Sequence, residues 1–200
     1  YRLMHTLLDL GLYQPAIFAA RQILNLAGMD DAATMNAPVY FNRIRFGAYF
    51  GDLILPEAAN NSLDGLLMLS VVRQESLFEG FATSYAAARG LMQVIPSTGQ
   101  EIADALGWPP GYTADDLYRP VVSVRFGTHY LAAQRDAFDG DLYAALAAYN
   151  AGPGNAAAWQ SIAQGDPDLF LEVIRLAEPH RYIRSIVEIF AIYSRLYVMP

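Results

Sequence analysis

The chain of 200 residues contains neither cysteine nor lysine. Without cysteine there is no disulfide framework and no thiolate metal site. Without lysine there is no Walker-type phosphate loop, which needs a Gly-Lys pair, and no Schiff-base amine. Histidine is scarce: His5, His129 and His180 stand far apart, without the spacing of metal ligands, so no metal or other cofactor is indicated. Every basic residue is arginine, the formal charge is −7, and no basic stripe exists to meet phosphates, which argues against nucleic acid as a partner. The longest stretch free of charge runs from Leu142 to Gly165, but Asn150, Gly152, Pro153, Gly154, Asn155 and Gln160 interrupt it, and it does not read as a membrane span. No leader pattern is visible at the start. The chain opens on Tyr1 and enters a helical pattern at once, which reads as the C-terminal piece of a longer protein.

Alternation at period two is also nearly absent, with the stretch from Tyr40 to Arg45 as the one candidate, so the chain is predicted to be all-α. Leu3, Leu7, Leu8 and Leu10 form a helical stripe up to Gly11. Pro15 suits the first turn of a second helix that stops near Gly28, and the two resemble a helical hairpin whose apolar residues serve packing. Between residues 30 and 60, Pro38, Pro56 and the Asn60-Asn61 pair mark loops. From Leu63 to Glu75 apolar residues cover every side, the mark of a centrally buried helix. Ser76 to Ile95 is rich in loop residues. Pro96 opens another helix, where Thr98 with Glu101, or Ser97 with Gln100, has the spacing of a capping box. Gly107 and Pro109-Pro110-Gly111 end it. Further helices are expected over Val121–Phe138, from Asp141 to Tyr149-Asn150, and through Tyr182, Ile186 and Phe190. With 54% hydrophobic residues, such a chain can bury one good core and a smaller appendage.

Glu75 closes the greasy run Leu66–Val72 in the tetrapeptide Arg73-Gln74-Glu75-Ser76. A carboxyl group there loses water, sits at the negative end of its helix, and has no cation beside it, because Arg73 is two residues away and faces elsewhere. All three effects favour the protonated form and suit a general acid near neutral pH. Two further blocks exceed what packing requires. In Gly90-Leu91-Met92-Gln93, glycine permits close backbone approach, Met92 suits a sugar or acyl subsite, and Gln93 offers an amide donor and acceptor. In Ala147-Ala148-Tyr149-Asn150-Ala151-Gly152, Ala147 and Ala148 remove bulk around Tyr149, whose hydroxyl is expected to project from a helix end towards a ligand.

Together the three blocks are far more specific than any one. Glu75-Ser76, then Gly90-Leu91-Met92-Gln93, then Ala148-Tyr149-Asn150-Ala151-Gly152 resemble the soluble lytic transglycosylase domain. Ser84 matches the family's loop serine, Arg125–Leu131 looks like its following helix, and Glu178-Pro179-His180-Arg181-Tyr182 resembles its late Glu-Thr-x-x-Tyr motif. Ala87, Ser123 and Pro179 depart from the family's usual glycine, asparagine and threonine. The resemblance covers residues 61 to 200 and implies a lysozyme-like catalytic domain. Residues 1–60 look like the last helices of the superhelical domain that precedes it in long members.

The resemblance implies cleavage of the β-1,4 bond between N-acetylmuramic acid and N-acetylglucosamine in peptidoglycan, in a periplasmic or other extracytoplasmic setting, by a chain expected to be monomeric. Glu75 would protonate the leaving oxygen and then take the proton of the muramic C6 hydroxyl, giving a 1,6-anhydro ring. One carboxylate would suffice, because the nucleophile belongs to the substrate, whereas most glycosidases use two. No second acid stands close by in a motif-like position, and Glu79 reads as a solvated loop residue. Tyr149 would orient Glu75. Ser84, Met92, Gln93, Ala148 and Asn150 would meet the glycan, Ser76, Gly90 and Tyr182 would support the site, and Glu178 would be a structural, hydrogen-bonded carboxylate. The rival readings are a goose-type-lysozyme-like hydrolase that uses water, an inactive glycan-binding module, and a helical interaction module with no cleft beside Glu75.

Overall fold

A computed structural model describes residues 1–29 and 36–197, so part of the 30–60 segment lies outside the described residues. Among the described residues the architecture is all-α, with isolated β-bridges joining Arg89 to Thr83 and to Val94 and no strand. Helices α1 (Arg2–Asp9) and α2 (Tyr13–Leu26) form a hairpin turned at Gly11, whose φ of +70° suits glycine. The alternating segment at Tyr40 is not a strand: α3 spans Val39–Arg45, and Asn42 and Arg45, one turn apart, are buried together. Pro56 is not in a loop but inside α4 (Gly51–Asn60). It is tolerated because it and Asp52, whose carbonyl loses its helical partner, both face solvent.

Helix α5 (Gly65–Ser76) is capped by Asp64, whose Oδ1 accepts from the N–H groups of Leu66 and Leu67. Leu67 to Val72 are all buried, and each aliphatic side chain so enclosed contributes roughly 1.5–3 kcal/mol. Helix α6 (Pro96–Leu106) lacks the expected capping box. It begins with Pro96 at its first position behind Ile95, so Ser97 and Thr98 fall inside the first turn instead of at the cap. That device appears instead at the start of the 3₁₀ helix Ala114–Tyr118, between Thr113 at its N-cap and Asp116 within it. Helices α7 (Pro120–Ala137), α8 (Leu142–Ala151), α9 (Pro153–Ala163), α10 (Pro167–Val173) and α11 (Ala177–Tyr197) complete the fold. The charge-free stretch is therefore two helices broken at Gly152 (φ +86°), and no described helix is long and apolar enough to cross a membrane.

The main core gathers α5 with α4 and α11, and α8 with α7, α9 and α11. A second cluster of Met4, Ala20 and Ile44 lies under α1–α3. Segment 45–50 joins the two. Tyr193 donates to Gly47 O (2.9 Å), Tyr197 to Phe46 O (2.8 Å) and Arg73 Nε to Arg45 O (3.0 Å), with the Arg73 guanidinium 4.3 Å from the Phe46 ring centre. This contact turns Arg73 away from the C-terminal end of α5, where Glu75 stands.

Candidate active site

Glu75 is the penultimate residue of α5, which ends at Leu77 in the left-handed conformation. Ser76 is buried and donates through Oγ to Leu91 O (2.9 Å), which pins the loop after α5 to the helix end. Within that loop Gly90 has φ +74°, and a Cβ there would stand 1.9 Å from Leu117 O, so the close approach of the 3₁₀ helix requires glycine. Ser123 Oγ accepts from Met92 N–H (3.0 Å). Gln93 sits at φ +48° and donates its amide to Gly90 O (2.9 Å) and Ala82 O (3.1 Å), which leaves its carbonyl oxygen as the available acceptor.

Helix α11 brings a full stripe to the same place. Glu178, Arg181, Tyr182 and Ser185 recur at the i, i+3, i+4, i+7 spacing of one helical face and line one cleft. That cleft has a volume of about 610 Å³ and is shared with Gln74, Glu75, Ser84, Ala86, Ala88, Gln93, Ile95, Tyr149 and Asn150. A second recess of about 260 Å³ continues it past Gln93, Ile95, Tyr149 and Asn150 towards Tyr130 and Gly152.

The buried Tyr182 hydroxyl donates to Glu75 Oε1 at 2.5 Å. Tyr149 donates to Met92 O at 2.7 Å, and its ring lies 5.4 Å from that of Tyr130. Burial pushes the Glu75 carboxyl from an ordinary value of 4.5 up to about 7; the Tyr182 hydrogen bond offsets part of this, and the negative charge of Glu178 adds to it. Tyr149 and Tyr182 are raised well above the usual tyrosine value, first by burial and next by the adjacent Glu75 charge, so both phenols stay protonated as donors. A carboxyl group that is half neutral near pH 7, on the floor of an open cleft, can both give and take a proton. Among the described residues no group of His, Asp and Glu could hold a metal ion.

The family model described as the transglycosylase SLT domain matches residues 52–168. The chain belongs to this family. The soluble lytic murein transglycosylase of Salmonella typhimurium is 28% identical over 151 residues, which are 74% of this chain and 23% of that protein. The lytic transglycosylase Slt of Pseudomonas aeruginosa, solved as an inactive mutant with glutamine in place of a glutamate, superposes with a TM-score of 0.75 at 29% identity, over 96% of this chain and 29% of the other. The 70 kDa soluble lytic transglycosylase of Escherichia coli superposes with a TM-score of 0.78 at 23% identity, over 96% and 29%, and it shares the all-α, lysozyme-like fold. The chain thus spans about a quarter of the length of these relatives.

Within this SLT domain several sequence expectations need correction. The Tyr149 hydroxyl commits its proton to Met92 O, which leaves its oxygen only as an acceptor towards the cleft, and the phenol that touches Glu75 belongs to Tyr182. Met92 lines no subsite: its side chain is fully buried where Gly127 of α7 leaves room, and a Cβ on that glycine would come within 2.4 Å of it. Ala148, fully buried within α8, lines the second recess together with Tyr149 and Asn150. Glu178 is exposed, not hydrogen-bonded among the described residues, and shares the cleft with Glu75, so a second acid does stand near the first. Glu79 turns its carboxylate to Phe81 N–H (3.0 Å). Ser84, Gln93 and Asn150 all border the cleft. Sequence reasoning passed over Gln74, Ile95, Arg181 and Ser185. The helical spacing from Tyr182 carried the signal for the last two.

Proposed function

We propose that this SLT domain is a peptidoglycan lytic transglycosylase acting on glycan strands outside the cytoplasm, with Glu75 as its single acid and base. The observation that carries the reading is the Glu75 carboxyl, held half-protonated near neutral pH by burial and gripped by Tyr182 at the floor of a cleft. Protonated Glu75 gives its hydrogen to the oxygen linking N-acetylmuramic acid to N-acetylglucosamine, and the C1–O bond breaks. The carboxylate then takes the proton of the muramic C6 hydroxyl, whose oxygen bonds to C1. A 1,6-anhydro ring forms, Glu75 regains its proton, and no water is consumed. The substrate's own hydroxyl is already held in place, so proximity replaces a protein nucleophile. Membership of the SLT family supports this reading, as does a relative described as inactive with glutamine in place of a glutamate. With the fold's other helices, we assign residues 1–60 to the end of a preceding helical unit and residues 61–200 to the catalytic unit.

Glu178 supports a second reading. It lines the same cleft and acts electrostatically on Glu75, so it is placed to activate water in a hydrolase with two carboxylates. Mass spectrometry of digested peptidoglycan separates the two, since the anhydro product is lighter by one water. The transglycosylase reading expects anhydro ends from the wild-type chain and from Glu178→Gln, and none from Glu75→Gln. Reducing ends that vanish in Glu178→Gln would establish the hydrolase.

A further inference from the structure

The rim of the cleft opposite α11 is a tight hairpin. Thr83 bridges Arg89, Ser84 N–H donates to Ala88 O (2.9 Å), and Ala87 N–H donates to Ser84 O (3.0 Å). Ala88 N–H also reaches Ser84 Oγ (3.1 Å), and Ala87 takes a φ of +61°. These bonds fix a turn with Tyr85 and Ala86 at its tip. Ser84 and Ala86 line the cleft, and Tyr85 stands between them.

Tyr85 is completely exposed, with a relative accessibility of 109%, and Phe81 at the foot of the same hairpin is 79% exposed. From residue 61 onward no other aromatic side chain among the described residues falls in the exposed class. Phe81 has a neighbour, since its ring lies 5.9 Å from that of Tyr118. Among the described residues Tyr85 takes part in no ring contact or side-chain hydrogen bond, so nothing in the described fold accounts for a large apolar ring in water. A rigid aromatic on an anchored turn, beside a cleft, has the properties of a binding platform: large contact area and few torsions to freeze on contact.

We propose that Tyr85 is an accessory glycan-binding residue, whose ring stacks against a sugar of the strand beyond those held beside Glu75. This rests on reading the cleft as a glycan site. A β-1,4-linked polymer is longer than the cleft, and a strand that leaves it past Ser84 and Ala86 meets Tyr85 next. The C–H groups on a pyranose face are the positive partner that the negative face of an aromatic ring favours.

The test is calorimetric titration of chains carrying Glu75→Gln with peptide-free β-1,4-linked N-acetylglucosamine oligomers, a dimer and an octamer. The octamer is expected to bind more tightly than the dimer. Adding Tyr85→Ala should weaken the octamer by about tenfold and leave the dimer unchanged, and Tyr85→Phe should keep the octamer's affinity. Because Tyr85 supports no packing, a folding defect does not cloud the result, and a thermal melt of each variant checks this. Unchanged octamer affinity in Tyr85→Ala, or equal loss for dimer and octamer, overturns the proposal. So does an effect that appears only with peptide-bearing strands. Failure of either oligomer to bind with Tyr85 in place overturns the glycan reading of the cleft, and this proposal with it.

Discussion

On the floor of the cleft the aromatic hydroxyls are committed: Tyr182 donates to Glu75 and Tyr149 to Met92 O. On the rim, a few residues away in space, Ser84 and Ala86 are exposed and Tyr85 is surrounded by water. The floor is assembled from three helices and a loop far apart in sequence, and its energy goes into keeping one carboxyl group partly dry. The rim is a local turn held by its own backbone bonds. The contrast separates two jobs. Residues of the floor decide whether Glu75 carries its proton, so changes there should appear in kcat and in the pH profile. Residues of the rim are proposed to meet the ligand without touching Glu75, so changes there should appear in KM.

The largest effect that would break this division is at Glu75. Glu75→Gln is expected to lower kcat by at least about 1000-fold on purified cell wall, because the amide cannot cycle a proton. The same substitution should stabilise the fold at alkaline pH. The folded-state pKa of about 7 lies above the ordinary 4.5, so between these values the folded chain binds more protons than the unfolded one. Stability from this group is therefore greatest below 4.5 and declines as pH rises to 7, by up to about 3 kcal/mol. Thermal melts should show Glu75→Gln more stable than wild type at pH 8, with the gap closing at pH 4. Equal melting temperatures at pH 8 would mean that the carboxyl group is well solvated and that the floor does not tune it.

Next in size is Met92→Ala. The side chain fills a fully buried site against Gly127, so its removal should cost about 2–5 kcal/mol of stability, readable in denaturant melts. A variant that kept full stability but lost substrate affinity would return Met92 to the substrate surface and blur the boundary between floor and rim.

The fold class was legible because the evidence for it is local. The apolar run before Glu75 has no polar face, and the helix expected from Asp141 does begin there, with Asp141 as its cap accepting from Ala144 N–H (3.0 Å). Pro56 misled because a proline is compatible with a helix interior when the freed carbonyl lies in water, and exposure cannot be read from a dipeptide. The capping box expected at Ser97 or Thr98 is absent because Pro96 is itself a helix starter and puts the cap at Ile95, two to three residues earlier. At the site, Glu75 was visible from its greasy neighbours, but its partner was not. Tyr149 and Tyr182 both stand in motif-like segments, and only the packing of α11 on α5 determines which phenol reaches the carboxyl. The same packing brought Glu178 into the cleft, 103 positions from Glu75 along the chain, a proximity that no spacing rule reveals.

Tyr182→Phe sharpens the comparison from the floor side. Its hydrogen bond favours the charged carboxylate, so removing it should lift the Glu75 pKa further. The alkaline limb of the pH–rate profile should then move to higher pH, with kcat at the optimum within about tenfold of wild type. A limb that stays in place, with kcat reduced, would make Tyr182 a support for packing alone.

The smallest expected effect lies on the rim. Ser84 presents a hydroxyl to the cleft while its Oγ accepts from Ala88 N–H (3.1 Å). On the proposal that Ser84 meets the glycan, Ser84→Ala removes one hydrogen bond to ligand and one within the turn, each worth about 1 kcal/mol, so KM for glycan should rise about fivefold while the pH profile stays put. Ser84→Thr keeps the oxygen and should recover most of the loss. A shift of the alkaline limb in Ser84→Ala would show that the rim reaches the proton on Glu75, and floor and rim would then have to be treated as one electrostatic unit.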